Sequence, residues 1–333
     1  FAFRLSSNLT PQAPPMPQET LILGLNPAWQ RLFFLDQFTL GEVNRIAKVE
    51  EYASGKGINC ARVLLRLGGH PLLMHFLGSE HGTRIFDELS ACDMPQAPIW
   101  IKENTRICTT IASEGQTTEL IEPSPMLTEF ENNDFIQSLN EYWNSTQRVA
   151  LCGTFPSGFD VNLLNGLDFS GKRVFVDAID NIDDLLKKGV ELLKINVAEY
   201  SKLLSRLGIP QVMSSPQFWK MSATAVLERL PIHNLVITDE DAPVRAFRLV
   251  EKKFQGFQLQ PPTIQVKNAI GAGDSFFAGW LLADDMGRSF EECVVSATAV
   301  ASARCEVERP WHINLERVAE LQSELAESLE RME

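Results

Sequence analysis

No apolar run in this 333-residue chain reaches the roughly 18 to 20 residues that a membrane-spanning helix needs. A membrane partner is therefore not expected. Cations are also scarce. Lys and Arg number 30 against 43 Asp and Glu, a formal net charge of −13. Such a balance repels a polyphosphate backbone, so nucleic acid is excluded as an expected partner. A small anionic ligand would have to be held by a few local cations or by backbone N–H groups. The six cysteines (Cys60, Cys92, Cys108, Cys152, Cys293 and Cys305) include no C-x-x-C pair and no zinc spacing. Reduced, mostly buried thiols in a cytoplasmic setting are the expectation. No internal repeat occurs. Residues 1–18, FAFRLSSNLTPQAPPMPQ, lack a signal-peptide pattern and read as a loose arm outside the fold.

What is present is an apolar fraction of 44%, enough for one large domain or a domain with a subdomain. Short apolar runs read as strands: TLILGL from Thr20, LLMHFLG from Leu72, RVALCG from Arg148, RVFVDA from Arg173, ELLKIN from Glu191 and NLVIT from Asn234. They are apolar throughout and do not alternate, which predicts burial on both faces of a parallel sheet. Helical patterns separate them. In INCARVLLRLGG, Cys60, Val63, Leu64 and Leu67 recur at helical spacing, and Gly68 and Gly69 supply a stop. The alternation predicts an α/β doubly wound, mainly parallel sheet flanked by helices. Residues 30–53 and 99–121 break the rhythm with extended, partly alternating segments. They are expected to form a small β-sheet lid. The large domain would then comprise residues 19–29, 54–98 and 122–333.

Two glycine-opened helix starts carry candidate chemistry. In IGAGDSFFAGW, Gly271, Ala272 and Gly273 lead into Asp274. Such a turn exposes backbone N–H groups and the positive end of a helix dipole, which suits an anion. A carboxylate beside it could take a proton from a hydroxyl while the N–H groups stabilise a moving phosphoryl group. An aspartate N-cap after a glycine turn is the plainer alternative. In ASGKGIN, Gly55 and Gly57 flank Lys56, with Asn59 on the first helical turn. Cys60 stands where a dinucleotide fingerprint needs its third glycine, and no P-loop spacing is present. A tight turn bearing a solvated lysine remains open as the alternative.

SGKGINCARVLLRLGG and NAIGAGDSFFAGW resemble the two signature segments of the ribokinase-like, phosphofructokinase B-type carbohydrate kinases, in the same order. LNPAWQ, LGEVNR, IEPSP and CGTFPSG resemble its 1-phosphofructokinase and tagatose-6-phosphate kinase branch. The resemblance covers roughly residues 21–304. It implies a ribokinase-like fold and transfer of the γ-phosphoryl group of ATP to a sugar hydroxyl, with Mg²⁺. By resemblance, Asp274 is the catalytic base, and Gly271, Ala272 and Gly273 form the anion hole. Asn26, Gln30, Gly55 and Asn59 would line the sugar site. Arg45, Lys56 and Arg106 would hold the phosphate already on the substrate. Asn196 and Glu199 match an Asn-x-x-Glu motif near the nucleotide and its metal. Thr238 would face the nucleotide, and Asp177 is a further candidate for the metal region. A homodimer joined through the lid is also implied; the alternative function, a catalytically weak relative that binds a sugar phosphate as a sensor or regulatory protein, is suggested instead by Gln30 and the acidic turn described next.

The chain departs from that pattern in places. Gln30 stands where the branch has an aspartate, so sugar recognition is expected to differ. The turn after NLVIT reads Asp239, Glu240, Asp241, Ala242, Pro243, with Glu240 and Pro243 in place of two glycines. Carboxylates facing a triphosphate would repel it, by about 4 kcal/mol for unit charges 4 Å apart at a protein surface. The usual glycine after Ala303 is missing, which brings Glu308 or Arg309 towards the expected adenine pocket. Ile195 replaces the proline usual before Asn196.

Overall fold

A computed structural model describes residues 19–114, 116–178, 180–211 and 216–332. The expected arm, residues 1–18, lies outside them. In chain order the elements are β1 (Glu19–Leu23), β2 (Ala28–Leu35), β3 (Lys48–Ser54), α1 (Lys56–Arg66), β4 (His70–Gly78), α2 (Ser79–Ser90), β5 (Gln96–Ile101), β6 (Ile107–Ser113) and β7 (Gln116–Ile121). There follow α3 (Glu129–Trp143), β8 (Arg148–Cys152), α4 (Asn162–Asn165), β9 (Arg173–Asp177), α5 (Asp183–Leu186), β10 (Val190–Asn196), α6 (Val197–Arg206) and α7 (Pro216–Arg229). The chain ends with β11 (Ile232–Thr238), β12 (Val244–Val250), β13 (Lys253–Leu259), α8 (Ala272–Asp285), α9 (Phe290–Cys305), α10 (Leu315–Ala326) and β14 (Glu330–Met332).

All six apolar runs are strands of one sheet, in the order β14-β13-β12-β11-β10-β9-β8-β1-β4-β5. From β11 to β5 every pairing is parallel, while β12, β13 and β14 add antiparallel strands at one edge. The runs lack polar alternation because helices cover both faces. Leu21 and Leu23 of β1 pack with α3, α6 and α7 on one side. Ile22 packs with α1, α2, α8, α9 and α10 on the other. The α/β doubly wound architecture follows from that two-sided burial. The predicted α1 stops as its glycines dictate: Gly68 takes φ 89°, and the N–H groups of Gly68 and Gly69 donate to Leu65 and Leu64.

A second sheet of four strands has the order β3-β2-β6-β7. Strands β2 and β3 form a hairpin, and β6 pairs in parallel with β2. Residues 99–101 end β5 of the large sheet, outside this second sheet. Among the described residues no helix is long and apolar enough to cross a membrane.

Helix α8 is anchored at its C-terminal end. The Arg148 side chain is 1% exposed and donates to Asp284 Oδ2 at 2.6 Å and to Leu281 O at 2.7 Å. Arg173 donates to Asp284 Oδ1, also at 2.6 Å. A cation at a helix C-terminus complements the dipole, so these contacts fix both the position and the direction of α8. Replacing Asp284 by alanine takes the nearest carboxylate from the buried Arg148 charge and leaves Asp285 Oδ1 at 3.5 Å from its Nε. The expected loss is about 3 kcal/mol, read as a lower urea midpoint; an unchanged midpoint would remove this anchor from the account.

Candidate active site

Strand β1 lies where the chain order reverses, with β4 on one side and β8 on the other. Crevices at the C-terminal ends of such strands are where open α/β sheets hold ligands. A cleft of about 210 Å³ lies there, lined by Gly24, Asn26, Gly55, Lys56, Gly57, Arg106, Ile121, Cys152, Gly153 and Thr154. Its floor is main chain. A Cβ on Gly57 would come 2.3 Å from the Cα of Gly24, so backbone meets backbone where β1 ends and α1 begins. Gly55 takes φ 118° to open α1. Asn26 donates from Nδ2 to Ser124 Oγ and Thr154 Oγ1, both at 2.9 Å. Arg106, just before β6, donates to Asn26 O at 3.1 Å.

A larger cleft, about 670 Å³, opens between the end of β11 and the start of α8. Thr238, Glu240, Asp241, Ala272 and Gly273 are among its lining residues. The acidic turn thus puts two residues, Glu240 and Asp241, in the wall. Glu240 holds φ 46°, the left-handed conformation that a glycine would adopt without strain. Glu308 and Arg309 are exposed and do not line this cleft.

The starts of α1 and α8 are joined. Gly271, in the left-handed region at φ 80°, is the N-cap of α8 and offers no side chain to its first-turn N–H groups. Asp274 is therefore not the cap. Its Oδ2 accepts from Asn59 Nδ2 at 2.7 Å, across 215 residues of sequence. Asp274 is buried, and that burial pushes its carboxyl above the usual range. The Asp177 charge pushes the same way; Lys56, the Asn59 hydrogen bond and Lys194 oppose it.

Asp177 ends β9 with 1% exposure. Lys56 Nζ lies 3.0 Å from its Oδ1 and Lys194 Nζ 3.2 Å from its Oδ2. Burial would raise this carboxyl, but the two lysines hold it below its ordinary value. Lys56 loses to burial and gains more from Asp177, Glu199 and Asp274, so its ammonium titrates above the usual range. Lys194 is a residue that sequence reasoning missed. Its ammonium lies against the glycine turn, 2.9 Å from where a Cβ on Gly273 would sit. The signal was a lysine between apolar residues, Leu192, Leu193 and Ile195, since a buried cation requires a partner.

The other candidates are placed as follows. Asn196 and Glu199 form a capping box at the start of α6, with Asn196 Oδ1 accepting from Glu199 N at 2.8 Å and Glu199 Oε2 from Asn196 N at 2.9 Å. Glu199 Oε1 lies 3.4 Å from Lys56 Nζ. Gln30 is buried inside the four-stranded sheet, donating to Thr110 Oγ1 at 2.9 Å, and does not line the smaller cleft. Arg45 is exposed on the loop between β2 and β3, also away from that cleft. Among the described residues no group of three or more His, Cys, Asp or Glu is placed to hold a metal ion. Asp177, with both oxygens taken by ammonium groups, does not fit a direct metal ligand.

Comparison with known proteins gives a consistent result. The pattern described as pfkB family carbohydrate kinase matches residues 29–311. A tagatose-6-phosphate kinase from Staphylococcus epidermidis is 29% identical over 316 residues, covering 90% of this chain and 96% of that protein. Phosphofructokinase-2 from Escherichia coli, in complex with potassium, superposes with a TM-score of 0.82 at 21% identity, covering 94% of this chain and 100% of that one. The same enzyme in complex with fructose-6-phosphate gives 0.80 at 21% identity over the same shares.

The charge pattern makes a prediction independent of turnover. Asp177→Asn removes a negative neighbour, leaves Lys194 without its carboxylate partner and leaves Lys56 with Glu199, so the Asp274 carboxyl should titrate at lower pH than in the unaltered protein. Carboxyl-carbon NMR of ¹³C-labelled aspartate reads the midpoint directly; no downward shift would disconnect Asp274 from this network.

Proposed function

The chain belongs to the pfkB family of carbohydrate kinases, phosphotransferases with an alcohol acceptor; from that premise we propose that it transfers the γ-phosphoryl group of ATP to a hydroxyl of a hexose phosphate, in the manner of a tagatose-6-phosphate kinase or 1-phosphofructokinase. The observation that carries this reading is Asp274: a buried carboxylate on the first turn of α8, oriented by Asn59 at 2.7 Å. Its raised pKa brings it closer to working pH, which strengthens it as the base that takes the acceptor's proton.

The two clefts fit the two substrates. In this reading the smaller cleft takes the sugar phosphate, with Arg106 and Lys56 on its phosphate and Asn26 on its hydroxyls. The larger takes ATP beside Thr238, and ATP supplies the transferable phosphoryl group. The N–H groups of the Gly271–Gly273 turn and the Lys194 ammonium stabilise charge on that group as it moves. Magnesium would enter with the triphosphate and offset its charge, and Glu199 and Asn196 would help hold it; Asp177 would not be a direct ligand. The four-stranded sheet of β2, β3, β6 and β7 acts as a lid over the acceptor and excludes water. Arg45 reaches the substrate only when this lid closes or across a lid-to-lid homodimer, for which exposed Val49, Leu120 and Ile121 offer apolar surface. The acidic lining at Glu240 and Asp241 favours a second reading, a sugar-phosphate sensor with weak nucleotide binding.

ADP release measured over a panel of sugar phosphates and free sugars separates these readings. The expected result is turnover with a hexose phosphate and little with the free sugar. Asp274→Asn should lower kcat about 1,000-fold, and Arg106→Ala should raise the acceptor KM about tenfold or more. Sugar-phosphate binding with neither turnover nor ATP binding would move the assignment to the sensor.

A further inference from the structure

Arg304, in the last turn of α9, is 0% exposed. A buried guanidinium ordinarily meets a carboxylate. This one meets main chain. Its Nε donates to Pro310 O at 2.8 Å, Nη2 to Ile270 O at 2.7 Å, and Nη1 to Val307 O at 3.0 Å and Asn268 O at 3.5 Å. The carbonyls come from two loops. Asn268 and Ile270 lead directly into the Gly271 turn, whereas Val307 and Pro310 follow α9. The loops are also tied to each other. Asn268 Nδ2 donates to Glu308 O at 2.7 Å, and Lys267 N donates to Cys305 O at 2.8 Å.

Several carbonyl dipoles converging from separate segments on one positive charge reproduce the coordination of a dehydrated monovalent cation. Here the charge is covalently attached. We propose that Arg304 is a positioning residue acting as a tethered monovalent cation: it locks the 268–270 and 307–310 loops so that the Gly271–Gly273 N–H groups face the transferring phosphoryl group, and it frees the reaction from any need for added potassium. The role of the glycine turn in transfer is taken from the proposed function above. Tethering keeps the ion's place filled at any salt concentration. Burial lowers the guanidinium pKa to about 10, against the pull of Cys305, Tyr52 and Asp274, so the group remains charged at neutral pH.

The test uses the full chain in potassium-free buffer, with potassium or guanidinium ion then titrated in at low concentration. Unaltered protein should give a flat rate against potassium. Arg304→Ala should lose about 100-fold in kcat with a much smaller change in acceptor KM, and either ion should restore the rate at least about tenfold. Its melting temperature should also rise with either ion, while that of the unaltered protein does not. A potassium requirement in the unaltered protein would overturn the proposal. So would a folded Arg304→Ala chain that neither ion rescues in rate or melting. If the alanine variant does not fold, Arg304→Lys decides: a rate above about a tenth of the original without potassium supports the proposal, and a dead variant that potassium cannot restore overturns it. Absence of turnover by the unaltered protein would count against the kinase reading alone, because the ion-dependent melting of Arg304→Ala still reports on the carbonyl site.

Discussion

One buried carboxylate holds two lysines at the meeting point of the two clefts. Asp177 accepts from Lys56 on α1 and from Lys194 on β10, at 3.0 and 3.2 Å. Without it, the buried Lys194 ammonium would lose its carboxylate partner and Lys56 would keep Glu199 in its place. With it, both cations can remain where anionic ligands would need them. The arrangement also tunes Asp274, whose proton affinity is raised by Asp177 and lowered by the lysines. The positions of three elements, the start of α1, the end of β9 and the end of β10, are thus mutually dependent.

Helix α8 joins that electrostatic arrangement to the glycine turn at its start. Its C-terminal end is fixed through Asp284 by Arg148 and Arg173, and its N-terminal end is joined to α1 through Asn59. The loop leading into it is held from behind by Arg304. A helix secured at both ends presents its first turn as a rigid element. Preorganised N–H groups act on developing charge without reorganising as it forms.

What could be read from the sequence follows the strength of the local physics. Six strands of the parallel sheet were legible because burial on both faces leaves nearly uninterrupted apolar runs. The glycine stop of α1 was legible because few residues besides glycine adopt the conformation of Gly68. The β12–β13 hairpin was not singled out. Its residues, VRAFRLV and KFQGFQL, mix exposed and buried positions at the sheet edge. The motif residues around Gly271 and Gly55 were found because their spacing is local. Lys194 and Arg304 were missed because their partners are distant in sequence, or are carbonyl groups that every residue possesses. The direction of Gln30 was equally hidden, since a strand's register decides which face each side chain takes, and here it turned the amide towards Thr110.

The backbone contact between Gly24 and Gly57 bears on how this molecule can change. Gly24, Gly55, Gly57 and Gly153 together give the smaller cleft a floor almost without side chains. A side chain at Gly24 or Gly57 would displace main chain, and one at Gly55 or Gly153 would have to hold a left-handed φ of 118° or 82°. The side chains that distinguish one occupant from another therefore stand in the walls, and two of them, Arg106 and Ile121, belong to the four-stranded sheet's end of the cleft. On the function proposed above, discrimination and reactivity would then sit on separate pieces of structure. A lineage of such proteins could exchange one acceptor for another by revising a few wall residues, while Asp274 and its glycine turn stay as they are.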